Sequence, residues 1–108
     1  MSKKIKFDYN GNTYNLTYTR RTIEKMEDEG FDITAAQTKP MSTLPKLFKG
    51  AFYANHPNIE DNVIDEIYGL MKDKQGLIQV LAGMYNDTLK TLLDEPTDEK
   101  NILWTTSV

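Results

Sequence analysis

Few side chains in this 108-residue chain could carry chemistry, and they are scattered. There is one histidine, His56, directly followed by Pro57, and there is no cysteine. A lone imidazole could act as a general base or a metal ligand, but it needs partners. No Ser/His/Asp arrangement can be built around His56, and its place before a proline reads as the cap of a helix C-terminus. Asp61 and Asp65, one helical turn apart, could in principle do acid–base work, with Glu66 beside them. On a solvated helix the same pair is surface charge. The acidic run Glu27-Asp28-Glu29 lacks the alternating spacing of a calcium loop. It reads as a solvated helix end, or as a face for a basic partner or a metal. Absence of cysteine removes thiolate nucleophiles, disulfides and cysteine-based zinc sites together. No phosphate-cradling or dinucleotide-binding glycine motif is present. The residues therefore offer no catalytic set, no metal site and no cofactor site, and the expectation is a protein that is not an enzyme.

Composition narrows the class further. The hydrophobic fraction of 39% and charged fraction of 27% suit one globular domain with a real core. The net charge of −3 is unevenly divided: residues 1–50 hold nine Lys/Arg and six Asp/Glu, whereas residues 51–108 hold four and ten. An acidic C-terminal half disfavours nucleic acid, whose phosphates require clustered cations. The two oppositely charged halves either attract within the fold or support head-to-tail self-association into a homo-oligomer. No apolar run approaches the roughly 18 residues of a membrane span. The basic start has no apolar stretch behind it, so no membrane and no secretion are expected, and a reducing cytoplasm fits.

Positioning falls to a hairpin and about four helices, an α+β fold that is mostly α. Ile5, Phe7 and Tyr9 alternate with polar residues, as do Tyr14, Leu16 and Tyr18, on either side of Asn10-Gly11. Asn-Gly is the strongest short-range hairpin signal, and a two-residue turn pairs Phe7 with Tyr14 and Ile5 with Leu16 on one face. That face should lie on the helices and leave a free edge for pairing. A first helix over 20–29 is capped by Thr19 and ended by Gly30. Only Ile23 and Met26 give it a core stripe, so weak attachment is expected. Its charges oppose the helix dipole, an effect partly offset by Arg20–Glu24 and Lys25–Glu29 pairs. Phe31 and Ile33 form a short strand or an anchor, and 34–41 is a polar loop.

The hub is a second helix over 43–55, with Ser42 as its N-cap and Leu44, Leu47, Phe48, Ala51 and Phe52 on one stripe. A third helix over 59–72, capped by Asn58, carries Ile64 and Ile67. A fourth over 77–93 carries Leu81, Tyr85 and Leu92, and short connections favour antiparallel neighbours. Gly50, Gly69 and Gly83 each interrupt a helix at a cost of about 1 kcal/mol. At least two of them are expected to face another helix or a subunit. The domain spans 1–96, and 97–108 is a tail, flexible or docked. Its Ile102-Leu103-Trp104 triplet is either docked on the core or reserved for a partner, tryptophan being enriched at binding hot spots.

Three segments carry a family resemblance: Tyr9-Asn-Gly-Asn-Thr-Tyr14, Ile23-Glu-Lys-Met-Glu-Asp-Glu-Gly-Phe31, and Leu44-Pro-Lys-Leu-Phe-Lys-Gly-Ala-Phe52 running into Asn55-His-Pro57. Ile64-Asp-Glu-Ile-Tyr68 and Leu81-Ala-Gly-Met-Tyr85 continue it, so that it covers about residues 5–93. In their order and spacing these resemble the short tail-assembly chaperones of long-tailed bacteriophages and prophages of Gram-positive bacteria. The resemblance implies a non-enzymatic, α-rich protein that binds the tape-measure protein and tail-tube subunits during tail assembly. It also implies action in the cytoplasm of the bacterial host, absence from the finished virion, and frequent self-association. No catalytic residues come with it. A different class, a small phage regulator that binds a host protein through its acidic C-terminal half, stays open.

Overall fold

A computed structural model describes residues 4–94 and 102–106. The expected boundary at 96, and the tail residues 97–101 and 107–108, lie outside the described residues. The fold is α+β and mostly α: an N-terminal hairpin followed by four α-helices. Strand β1 (Ile5–Tyr9) pairs antiparallel with β2 (Asn12–Leu16), and the register sets Phe7 opposite Tyr14 and Ile5 opposite Leu16. Both turn residues take positive φ, Asn10 at 51° and Gly11 at 79°, as a two-residue turn matched to strand twist requires. The apolar face turns inward. Tyr14 and Leu16 are buried, and Phe7 is half-buried, stacked on Tyr14 at 5.4 Å between ring centroids.

Helix α1 (Arg20–Asp28) opens on Thr19, whose hydroxyl accepts from Thr22 N–H while the Thr22 hydroxyl accepts from Thr19 N–H. Gly30 follows its C-terminus with φ of 93°, a conformation that favours glycine. Phe31 is buried as an anchor and no strand forms there. Instead, the Asp32 carboxylate accepts from Thr34 N–H at 3.0 Å and from its hydroxyl at 2.7 Å, capping a 3-10 turn over Ile33–Ala36.

Helix α2 (Pro40–Gly50) begins earlier than its sequence pattern suggests and ends earlier too. Pro40 takes the first helical position, where a missing N–H costs nothing, so Ser42 is not the cap and lies inside the helix. Pro45 therefore falls in the second turn. Burial follows the shift: Thr43 is buried, whereas Leu44 is half-exposed and stands outside the core. Beyond Gly50 the chain continues as turns to Asn55 with the same stripe, and Ala51 and Phe52 are fully buried. At its end the bonds tighten, Phe52 N–H and Tyr53 N–H donating to the Lys49 and Gly50 carbonyls three residues back. Ala51 C=O, which would accept from Asn55 N–H in a continuing helix, accepts from Thr17 N–H at 3.0 Å.

Helices α3 (Asp61–Leu70) and α4 (Lys74–Lys90) complete the layer. Asn58 does not cap α3; its N-cap is Glu60, without a side-chain bond. The stretch expected to connect the two helices already belongs to α4. Asp73 sits in the left-handed region at φ 51° and its carboxylate accepts from Gly76 N–H. Lys74 reaches back and donates to the Met71 and Gly69 carbonyls, and so serves the C-terminal end of α3. Helix α2 packs against α1, α3, α4 and the 3-10 turn. Helices α3 and α4 both lie on α2. The core gathers Leu16, Leu47, Phe48, Phe52, Ile64, Ile67, Leu81 and Tyr85.

Candidate protein-binding surface

The residues singled out for chemistry do not come together. His56 is not a helix cap. Its Nε2 accepts from Asn15 N–H at 3.0 Å, and its ring lies 5.0 Å from that of Tyr14. Asn55 completes the clamp by donating from Nδ2 to Asn15 C=O at 3.0 Å. The imidazole nitrogen that could have served as a base is thus committed to the outer edge of β2. Asp61 pairs with Lys49 at 3.0 Å and ties α3 to α2. Asp65 and Glu66 are exposed, and Glu66 accepts from the Tyr9 hydroxyl. That bond holds the Tyr9 phenol protonated above its ordinary range. Among the described residues no group of three His, Cys, Asp or Glu side chains is placed to hold a metal, and no helix is long and apolar enough to cross a membrane.

The acidic run at the end of α1 divides. Glu29 accepts from the Tyr53 hydroxyl at 2.6 Å and pairs with Lys25 at 3.5 Å. The tyrosine bond, chiefly, pulls its carboxyl below the usual range, with Lys25 adding to it. Glu29 is therefore an internal tie between α1 and the turn after α2. Asp28 is exposed without a bonded partner among the described residues. Glu29 also borders a small cavity of about 210 Å³ with Met26 and Tyr53, and Glu27 belongs to a different concave surface. It stands on the wall of a cleft of about 610 Å³ between α1 and α4.

That cleft joins apolar and charged groups. Its floor is Ile23 of α1 with Leu89 and Leu92 of α4 and its terminal turn; Arg20, Arg21, Glu24 and Glu27 form the rim. The expected Arg20–Glu24 ion pair is not made, so both arginines are free among the described residues. They stand at the positive end of α1, where the helix dipole adds to their charge. Leu92, expected on the buried stripe of α4, is 62% exposed, and Leu93 beside it is 88% exposed. Ile102, Leu103 and Trp104 have no regular secondary structure, and Trp104 is 80% exposed. Sequence reasoning missed the cleft, since its walls come from helices some 65 residues apart in the chain. A detectable signal was the unopposed Arg20-Arg21 pair at a helix N-terminus.

Only one of the three helix glycines makes a close approach within the chain. A Cβ on Gly50 would fall into the Met26 side chain, whereas Gly69 and Gly83 face open space. Of the contacts expected with another helix or a subunit, the chain itself supplies the one at Gly50. Ile23 and Met26 are the only buried residues of α1, as the spacing suggested, and Met26 lies against Gly50.

No curated protein and no solved structure matches the chain. Over residues 1–108 it matches, and so belongs to, the family described as a domain of unknown function (DUF5055).

Proposed function

We propose that this chain is a non-enzymatic tail-assembly chaperone of a long-tailed phage or prophage, which binds the tape-measure protein and tail-tube subunits in the host cytoplasm and is left out of the finished virion. The supporting observation is the apolar surface concentrated at the end of α4 and beyond. Leu92, Leu93, Ile102, Leu103 and Trp104 are all exposed, and the α1–α4 cleft opens beside the first of them. A chain that leaves so many large apolar side chains in water is suited to cover another protein's apolar surface. Helical tape-measure segments fit the cleft by laying an apolar stripe on Ile23 and Leu89 and setting acidic residues against Arg20 and Arg21. The resemblance of the hairpin, first-helix and hub segments supplies the identity of the partners.

The test is co-expression with the tape-measure and tube proteins encoded beside it. A co-purifying complex is expected, weakened at least about tenfold by Trp104→Ala or by Arg20→Glu with Arg21→Glu. A chain that binds neither protein, yet captures a host enzyme or transcription factor through the acidic half, would replace this reading with that of a regulator.

A further inference from the structure

The two edges of the hairpin are not alike. In an antiparallel pair joined by a two-residue turn, Tyr9 and Asn12 form the first hydrogen-bonded pair, and the pattern then alternates. The backbone groups of Lys6 and Asp8 on β1, and of Thr13 and Asn15 on β2, accordingly point away from the partner strand. On the β2 side that edge is closed. Asn15 N–H and C=O are taken by His56 and Asn55, and Thr17 N–H is taken by Ala51 C=O. On the β1 side, no bond to Lys6 or Asp8 backbone groups is made among the described residues. The free edge belongs to β1.

We infer that β1 pairs with β1 of a second copy of this chain, forming a two-fold dimer with a four-stranded sheet ordered β2–β1–β1–β2. The edge itself selects the occupant and the register. Only even-numbered residues point outward, so the symmetric antiparallel registers centre on Lys6, on Phe7 or on Asp8. Centring on Lys6 sets two lysines face to face, and centring on Asp8 sets two aspartates face to face. Centring on Phe7 sets Lys6 opposite Asp8 of the second copy, twice, and leaves no like-charged pair along the edge. Lys6 and Asp8 are both exposed, and Asp8 uses one oxygen for the Thr13 hydroxyl at 2.7 Å, the other having no partner among the described residues. The opposite face agrees. Ile5, Phe7 and Tyr9 are half-buried, so their uncovered halves would meet those of the second copy and continue one apolar layer. Ile5 also borders a cleft of about 440 Å³ lined by Leu77 and Val80, and in this register Tyr9 of the second copy lies opposite Ile5. A lysine on an edge strand normally repels unsuitable neighbours; here it discriminates in favour of its own sequence. A closed two-fold pair uses up both edges and stops further growth.

Sedimentation equilibrium across a concentration series tests the dimer. Wild type is expected to approach twice the chain mass. Lys6→Pro removes an outward N–H that the intrachain ladder does not use, and should weaken association about tenfold or more with helical circular dichroism unchanged. D8K and K6D alone each create two like-charge pairs and should weaken it roughly tenfold, whereas K6D/D8K restores opposite charges and should recover it. The lack of cysteine permits an independent reading. When K6C and D8C chains are mixed and oxidised, the mixed disulfide should exceed either like pair, since only those positions are directly opposed. A wild type that stays monomeric, a dimer indifferent to Lys6→Pro and to charge reversal, or a preference for like disulfides would overturn the inference.

Discussion

At the scale of single residues, the two kinds of helix glycine should behave oppositely. Gly83 is exposed with nothing near its missing side chain, so Gly83→Ala should raise stability by about 1 kcal/mol through helix propensity alone. Gly50→Ala should lower it, because a Cβ there would displace the Met26 side chain and overpacking a buried site costs about 1–3 kcal/mol. Thermal unfolding of the two variants checks both signs; a rise in both would mean that α1 yields easily to α2. The buried tyrosines make a second prediction. Burial pushes the Tyr18 phenol far above its ordinary value, and it also raises Tyr53 and Tyr85. Tyr18 donates to Leu47 C=O at 2.5 Å and has no room for a charge. A folded-state value above the unfolded one gives stability that is complete below the unfolded value and lost as pH rises past it. Melting temperature should therefore be flat through neutral pH and fall above about pH 10.

At the scale of elements, α2 and the turns after it carry the fold. Phe48 meets Phe52 at 5.1 Å and Tyr68 at 5.2 Å, and Phe52 continues to Tyr14 at 6.0 Å. One aromatic line thus runs from the hairpin through the hub to α3. Phe48→Ala should cost about 3–5 kcal/mol, a large share of the stability of a small domain. Chemical denaturation would show it as a lower midpoint. Preserved stability with lost partner binding would make this stripe an interface and not the core. The apolar periodicity of α2 was legible in the sequence, and so was the hairpin register, because Asn10-Gly11 dictates both turn length and pairing. Its boundaries were not. Ser42 looked like a cap only while Pro40 was read as loop, and the carbonyl just past Gly50 is taken by Thr17 N–H, which arrives from the hairpin. Local preference proposes where a helix starts; the groups just past its end find partners from elsewhere in the chain.

At the scale of the whole molecule, function rests on which apolar residues stay outside. Trp104 is the only tryptophan, so its fluorescence reports directly on the tail. Emission of the free chain should be water-like, given its exposure, and should shift to the blue when a partner covers it. A blue-shifted free chain would place the segment on the core and remove it from the binding surface. Trp104→Ala should leave the melting temperature within about 0.5 kcal/mol equivalent of wild type, as an exposed site requires.

By themselves, the residues of this chain determined the class of fold, the hairpin and its pairing, the stripe of the hub and the capping of α1. Each of those depends on neighbours within a few positions, where steric preference and periodicity act. Tertiary structure alone decided the rest. It turned His56 from a helix cap into the acceptor that closes one sheet edge, and Glu29 from surface charge into a tie to Tyr53. It left Leu44 and Leu92 outside the core that their spacing suggested. It also brought Arg20 and Arg21 to the same cleft as Leu89, across most of the chain. Hydrogen-bond partners and burial at such distances depend on how helices cross α2, and no local pattern of residues encodes that crossing.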